Sequence, residues 1–165
     1  MRASVRTGTV CFALAIAAVV ARPLAQRAVI GEGIREFVAV DAPVVALTNA
    51  RVIDGTGAPA REGQTLILRD GLIAAIGPSA TTPAPEGARL LDLAGKSVIP
   101  GLVMLHEHLY YPTGPGVYGQ LGQSFVRLYL AGGVTTMRTG GNLNGFMDIT
   151  LKQRVEAGDA AGPAI

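Results

Sequence analysis

Residues 97–105 are apolar almost throughout, with Val98, Ile99, Leu102, Val103, Met104 and Leu105 in close succession. A run with so little polar alternation predicts a strand covered on both faces, the arrangement of parallel sheets. The residues after this run narrow the fold further. Residues 123–131 place Phe125, Leu128 and Tyr129 at helical spacing and end at Gly132-Gly133. Residues 134–138 are a short β-rich run. Residues 146–157 then repeat Phe146, Ile149, Val155 and the aliphatic part of Lys152 with a period near 3.6. Asp148 and Lys152 form an i,i+4 pair of favourable polarity, and Gly158 stops the helix. Residues 162–165 begin one more strand. Strand, helix, strand, helix, strand is the order of a parallel α/β sheet or barrel. No repeat of solenoid period is present.

The stretch before residue 97 has a different pattern. Residues 44–53 read as a β-branched strand closed by the turn residues Asp54-Gly55-Thr56-Gly57. Residues 65–69 form a second strand and residues 72–76 a third. Asp70-Gly71 between them favours a type I′ hairpin turn. Residues 79–88, rich in Pro, Ala, Thr and Gly, form a loop, and residues 89–93 a fourth short strand. Together they predict a small antiparallel unit. Residues 26–43 have no clear period and read as a lead-in segment with a little extended structure.

The chain has 165 residues, about one domain by length, with 49% hydrophobic and 16% charged residues, which excludes a disordered chain. Its formal charge of +2 misleads. Taking Arg2, Arg6 and Arg22 from the 14 basic residues leaves 11 against 12 acids, a balance of −1 outside the first 25 residues. With no basic cluster, 5% aromatic residues and no Trp, nucleic-acid binding is excluded. Arg2 and Arg6 precede an apolar run over residues 10–21 that Arg22-Pro23 breaks. Twelve helical residues span about 18 Å, short of a hydrocarbon core of about 30 Å. The segment therefore reads as a secretory signal peptide over residues 1–25, cleaved after Ala21 or Ala25, and not as a stable membrane span. Such a leader predicts export, to the periplasm or the medium. Cys11, the one cysteine, lies inside the run, so a mature chain has neither disulfide nor thiol chemistry.

Both histidines of the chain, His106 and His108, stand at the end of the apolar run. Alternate residues of a strand share a face, so the two imidazoles project together and Glu107 projects away. The C-terminal edge of a parallel strand is where barrel enzymes carry their chemistry. Neutral imidazole is the common nitrogen ligand of zinc, and two adjacent rings can clamp one ion.

Four blocks, in order, resemble the amidohydrolase superfamily, with the imidazolonepropionase and prolidase-like branch most similar. They are Asn49-Ala50-Arg51-Val52-Ile53-Asp54-Gly55, residues 68–77 around Asp70-Gly71, residues 100–108 ending in His106-Glu107-His108, and residues 131–138 ending in Met137-Arg138. The resemblance runs from about residue 44 to the end. It implies a (β/α)8 metallo-hydrolase barrel preceded by part of a small β-sandwich, with residues 44–100 in the sandwich and 101–165 in the first β/α units. It implies hydrolysis of carbon–nitrogen bonds in small amide, cyclic amide or dipeptide-like substrates. The agent is water activated on one or two divalent metal ions, zinc foremost, with His106 and His108 as ligands of the buried metal. Two positions depart from the family's pattern: Met104 stands where an Asp is usual, and Arg138-Thr139 where Arg-Asp is usual. On strict alternation Met104 shares the histidines' face, so an acceptor behind the ligands is lost. The family's bridging lysine, two later histidines and late aspartate have no counterpart up to Ile165, so the chain is expected to be the N-terminal part of such an enzyme.

Tyr110 and Arg138 are candidate substrate contacts, Tyr110 and Tyr111 at the mouth of the site and Arg138 toward a substrate carboxylate; loop packing and a structural ion pair are the respective alternatives. Glu107 is expected to anchor a loop or an ion pair. Residues 113–116 have glycines but no following lysine and do not form a phosphate loop. A catalytically inactive remnant and an exported β-rich binding module are the competing readings of the whole chain.

Overall fold

The computed structural model describes residues 29–165; the signal peptide expected at residues 1–25 lies outside the described residues. The first region is a five-stranded sheet built on β1 (Val44–Val52). On one side β1 pairs antiparallel with β2 (Arg61–Arg69), which pairs antiparallel with β3 (Leu72–Pro78). Asp70 and Gly71 both have positive φ, 50° and 81°, the backbone that a type I′ turn needs, so the dipeptide sets this hairpin as its composition predicts. On the other side of β1 lie β4 (Arg89–Asp92) and β5 (Ser97–Val98), both parallel to it.

The unit is therefore mixed rather than antiparallel. The reason lies in the loop 79–88, which is long enough to carry the chain across the sheet and return it in the direction of β1. β2 also begins at Arg61, ahead of the apolar residues that mark it in the sequence. Its polar start is held by the ladder pairs Val52–Arg61 and Ala50–Gln64 and by exposed ion pairs of Arg51 with Glu62 and Arg61 with Asp54. Asn49, with φ 57°, marks the bulge where the β1–β2 register shifts. Ala50, Val52 and Leu66 form the core of this region, with Leu47, Leu93 and Val98 packed against them.

The apolar run 97–105 is not one strand. Ser97–Val98 pair with Arg51 and Val52 of β1, whereas β6 (Leu102–Glu107) pairs parallel with β9 (Val134–Thr139). Between them Pro100 has no N–H to donate and restricts Ile99, so the ladder breaks and the chain passes from one sheet to the other. Nor is β6 covered on both faces: Val103 and Leu105 are 59% and 71% exposed.

After β6 the chain forms a hairpin that the sequence pattern does not predict, β7 (Tyr110–Gly114) and β8 (Val117–Gln120), turning at Gly116 with φ 69°. Then come α1 (Gly122–Ala131), β9 and α2 (Met147–Glu156), ended at Gly158 with φ 79°. Ala164 makes a parallel bridge to Thr136, so the strand-like end of the chain joins β9 as expected. Leu109, Val126, Val134, Met137, Leu151 and Ala160 form the second core, between the strands and the two helices.

One expectation fails here and one holds only in part. Lys152 pairs with Glu156, one turn on, while Asp148 is only 6% exposed and both its oxygens lack a hydrogen-bond partner among the described residues. The i,i+4 rule allowed either acid, and burial of the first helical turn removes Asp148 from the exposed face. The lead-in segment has extended backbone at Gly31 and Val38, but Glu32–Phe37 between them form a 3-10 helix that the pattern does not predict. It docks on the second region through Gly31 N–H to the Gly158 carbonyl and through Arg127 over the Phe37 ring.

Candidate metal centre

His106 is the fifth residue of β6 and His108 lies just past its end. Their rings come together as predicted, with centroids 5.2 Å apart and planes at 78°. Two imidazoles on one tetrahedral ion place their centroids roughly 5 Å apart, given Zn–N distances of about 2.0–2.1 Å. The ring pair thus fits a shared ion in spacing and in donor chemistry.

Both rings are set by the end of β9. Nδ1 of His108 lies 3.4 Å from the Gly141 carbonyl, an oxygen that only accepts. A proton on Nδ1 leaves the Nε2 lone pair free for a metal. Nε2 of His106 lies against Gly140, where a Cβ would come within 2.6 Å of it. Glycine at 140 is therefore a condition for the present position of the ring. Glu107 bonds through its carbonyl to the Gly140 N–H at 2.7 Å, which ties the histidine segment to β9.

Glu107 makes no ion pair among the described residues; its carboxylate instead joins β6 to α1 and β7 through two tyrosines. The Tyr129 hydroxyl donates to Glu107 Oε2 at 2.8 Å and lies 3.3 Å from the His108 carbonyl. The Tyr111 hydroxyl meets that of Tyr129 and lies 3.4 Å from Glu107 Oε2. Burial first, then the bonds to Tyr111 and Glu107, push the Tyr129 phenol far above its ordinary pKa. By helical spacing alone Tyr129 counts only as an apolar residue. The signal that could have found it is its hydroxyl, which on a packed helix face needs a partner.

Met104 is not beneath the histidines. It packs against the core of Leu109, Val126 and Met137, and the β6–β9 register slips between Met104 and Glu107, so simple alternation does not carry from one to the other. Tyr110 and Tyr111 point to different partners. Tyr110 lies against His108, ring centroids 4.9 Å apart, and touches Tyr118, while Tyr111 packs on Phe125 at 4.7 Å. Arg138 is exposed on β9 and makes no ion pair among the described residues. It lines a cavity of about 230 Å³ together with Asp148 and Lys152, apart from the ring pair. No group of three His, Cys, Asp or Glu side chains able to hold a metal occurs among the described residues.

No protein-family model matches the chain. Among curated proteins it is 37% identical over 84 residues to an enamidase of Eubacterium barkeri, covering 51% of this chain and 21% of that protein. It is 35% identical over 102 residues to an imidazolonepropionase of Caulobacter vibrioides, covering 54% of this chain and 25% of that protein. Among solved structures, molinate hydrolase superposes with a TM-score of 0.66 at 25% identity, over 76% of this chain and 30% of the other. Over the part they share, the chain is similar to proteins of the amidohydrolase superfamily. It spans between a fifth and a quarter of the length of these two curated relatives.

Proposed function

We propose that His106 and His108 are two ligands of a divalent metal, zinc foremost, in a hydrolase that cleaves carbon–nitrogen bonds of small amide, cyclic amide or dipeptide-like substrates. The observation that carries this reading is the ring pair at the C-terminal end of a parallel strand, spaced for one ion. A bound metal supplies an activated water and polarises the scissile carbonyl. The chain's own residues hold and aim the ligands: the Gly141 carbonyl selects the His108 tautomer, and Gly140 makes room for His106. Tyr110, beside His108, is placed to cover one side of a substrate. Arg138, exposed and without an ion pair among the described residues, is offered for a substrate carboxylate. In this reading β6 and β9 are the first two strands of a (β/α)8 barrel, residues 44–100 belong to a β-sandwich, and residues 1–25 direct export.

A second reading, a metal-binding chain without catalysis, is favoured by one observation: no third ligand joins the pair among the described residues. A catalytic zinc site takes three protein ligands and keeps one position open. Equilibrium dialysis against zinc tests what the two readings share. Uptake by the 165-residue chain is expected to be lost in both His106→Ala and His108→Ala, and uptake unchanged in either variant would overturn the site. Hydrolysis of small cyclic amides by the zinc-loaded chain, lost in His106→Ala, would decide for the first reading.

A further inference from the structure

We infer that Tyr129 is a positioning residue for the two histidines, acting from α1 through Glu107, the residue between them. The inference rests on reading His106 and His108 as metal ligands. The Tyr129 hydroxyl has one proton, and its good acceptor is Glu107 Oε2 at 2.8 Å. The Tyr111 hydroxyl, in close contact with the Tyr129 oxygen, then gives its own proton to that oxygen. The order Tyr111 to Tyr129 to Glu107 uses each proton once and leaves the Tyr129 oxygen satisfied as donor and acceptor.

The consequence falls on the backbone. Glu107 is held at its carboxylate by α1 and at its carbonyl by the Gly140 N–H. A residue fixed at both points leaves its two neighbours little freedom to turn, and those neighbours are His106 and His108. The fixing is needed because the β6–β9 register slips between Met104 and Glu107, so the ladder alone does not set the direction of the rings. The Tyr129 oxygen also lies 3.3 Å from the His108 carbonyl, with its proton committed to Glu107, so its hold on the second ligand runs through Glu107. Glu107 could otherwise serve as a mere negative charge near a cation, and the two roles separate by mutation. Glutamine keeps an oxygen that accepts from Tyr129 but carries no charge.

The test is a cobalt(II) titration of the 165-residue chain, read by visible absorption, with the unfolding midpoint measured for each variant. Tyr129→Phe is expected to weaken binding by about tenfold, as loss of a ligand-orienting partner does, and to shift the cobalt absorption bands. Glu107→Gln is expected to bind more nearly like the unchanged chain than Glu107→Ala does. Wild-type affinity and spectrum in a folded Tyr129→Phe would overturn the inference, as would equal weakening in Glu107→Gln and Glu107→Ala with no effect of Tyr129→Phe. Should Tyr129→Phe fail to fold, Tyr111→Phe removes only the outer hydroxyl and must give a smaller shift of the same bands; no shift overturns the inference. Failure of the metal reading looks different: His106→Ala then takes up cobalt as well as the unchanged chain, and no variant at 107 or 129 matters.

Discussion

The two regions are held together by different means. In the five-stranded sheet most neighbours are ladder partners: β1 carries β2 on one side and β4 and β5 on the other, around a small core of Ala50, Val52 and Leu66. From Leu102 onward the ladders are short: two parallel strands with one bridge, and the β7–β8 hairpin. Cohesion comes instead from side chains, with Leu109 and Val126 fully buried between strands and helices. The sheet is thus specified by turns and register, and the second region by packing. The histidines stand on the packed region, at the point where its ladder slips, so their geometry depends on the Tyr129 side chain from α1 and on the backbone of Gly140 and Gly141 just past β9.

The largest expected effect comes from the packed core. Leu109→Ala is expected to cost about 2–5 kcal/mol, the range for a fully buried leucine. Amide exchange would then quicken in α1 and β9 while the β1–β2 ladder keeps its protection. Equal loss of protection in both regions would break the comparison, showing one cooperative unit. Next is the junction. A Cβ on Gly101 would overlap the Thr135 side chain, so Gly101→Ala is expected to cost about 1–3 kcal/mol in urea unfolding. Adding Thr135→Gly should restore much of that loss if the overlap is its cause; no restoration would place the cost elsewhere.

The same contrast explains how much the sequence alone discloses. Asp70-Gly71 is a local signal with a local cause, and the hairpin it predicts is present. Both helices are legible from periodicity within each segment, although α2 buries Leu151 and leaves Phe146 and Ile149 of the apolar repeat exposed, and the β7–β8 hairpin is not legible. The histidine pair is also visible, because spacing by two needs only extended backbone. The features that escape depend on contacts distant in sequence. The division of residues 97–105 between two sheets depends on which partners β1 and β9 offer. The parallel direction of β4 depends on the path of the loop 79–88. Glu107 finds Tyr129 22 positions away, and Asp148 is buried by the packing of α2 rather than by anything adjacent to it.

A turn substitution sharpens the comparison from the other side. Gly71 has φ 81°, a conformation that costs an L-residue about 1–2 kcal/mol. Gly71→Ala should therefore lower the stability of the sheet by about that amount, with exchange quickened in β2 and β3 and unchanged in α1 and α2. Faster exchange in the helices would mean that the second region leans on this hairpin.

The smallest effect is electrostatic and also belongs to the sheet. Asp92 accepts from the Asn49 side-chain amide at 3.0 Å and from the Ala94 N–H at 3.1 Å, and these bonds, the first above all, hold its carboxyl below the ordinary range. Asp54 is lowered in the same way by the hydroxyl and N–H of Thr56. A carboxyl with a depressed pKa in the fold binds its proton more tightly when unfolded. Its contribution is complete above the unfolded value of about 3.9 and disappears as pH falls through the folded value. Asp92→Asn removes the titration while leaving an oxygen to accept. The gap in unfolding midpoint between the unchanged chain and this variant should be widest near neutrality and close as pH falls below about 3.9. A gap that stays constant as pH falls from neutrality through the acid range would show that the charge on Asp92 is immaterial. The bulge at Asn49, where β1 changes register, would then be held by its hydrogen bond to residue 92 whatever the charge there.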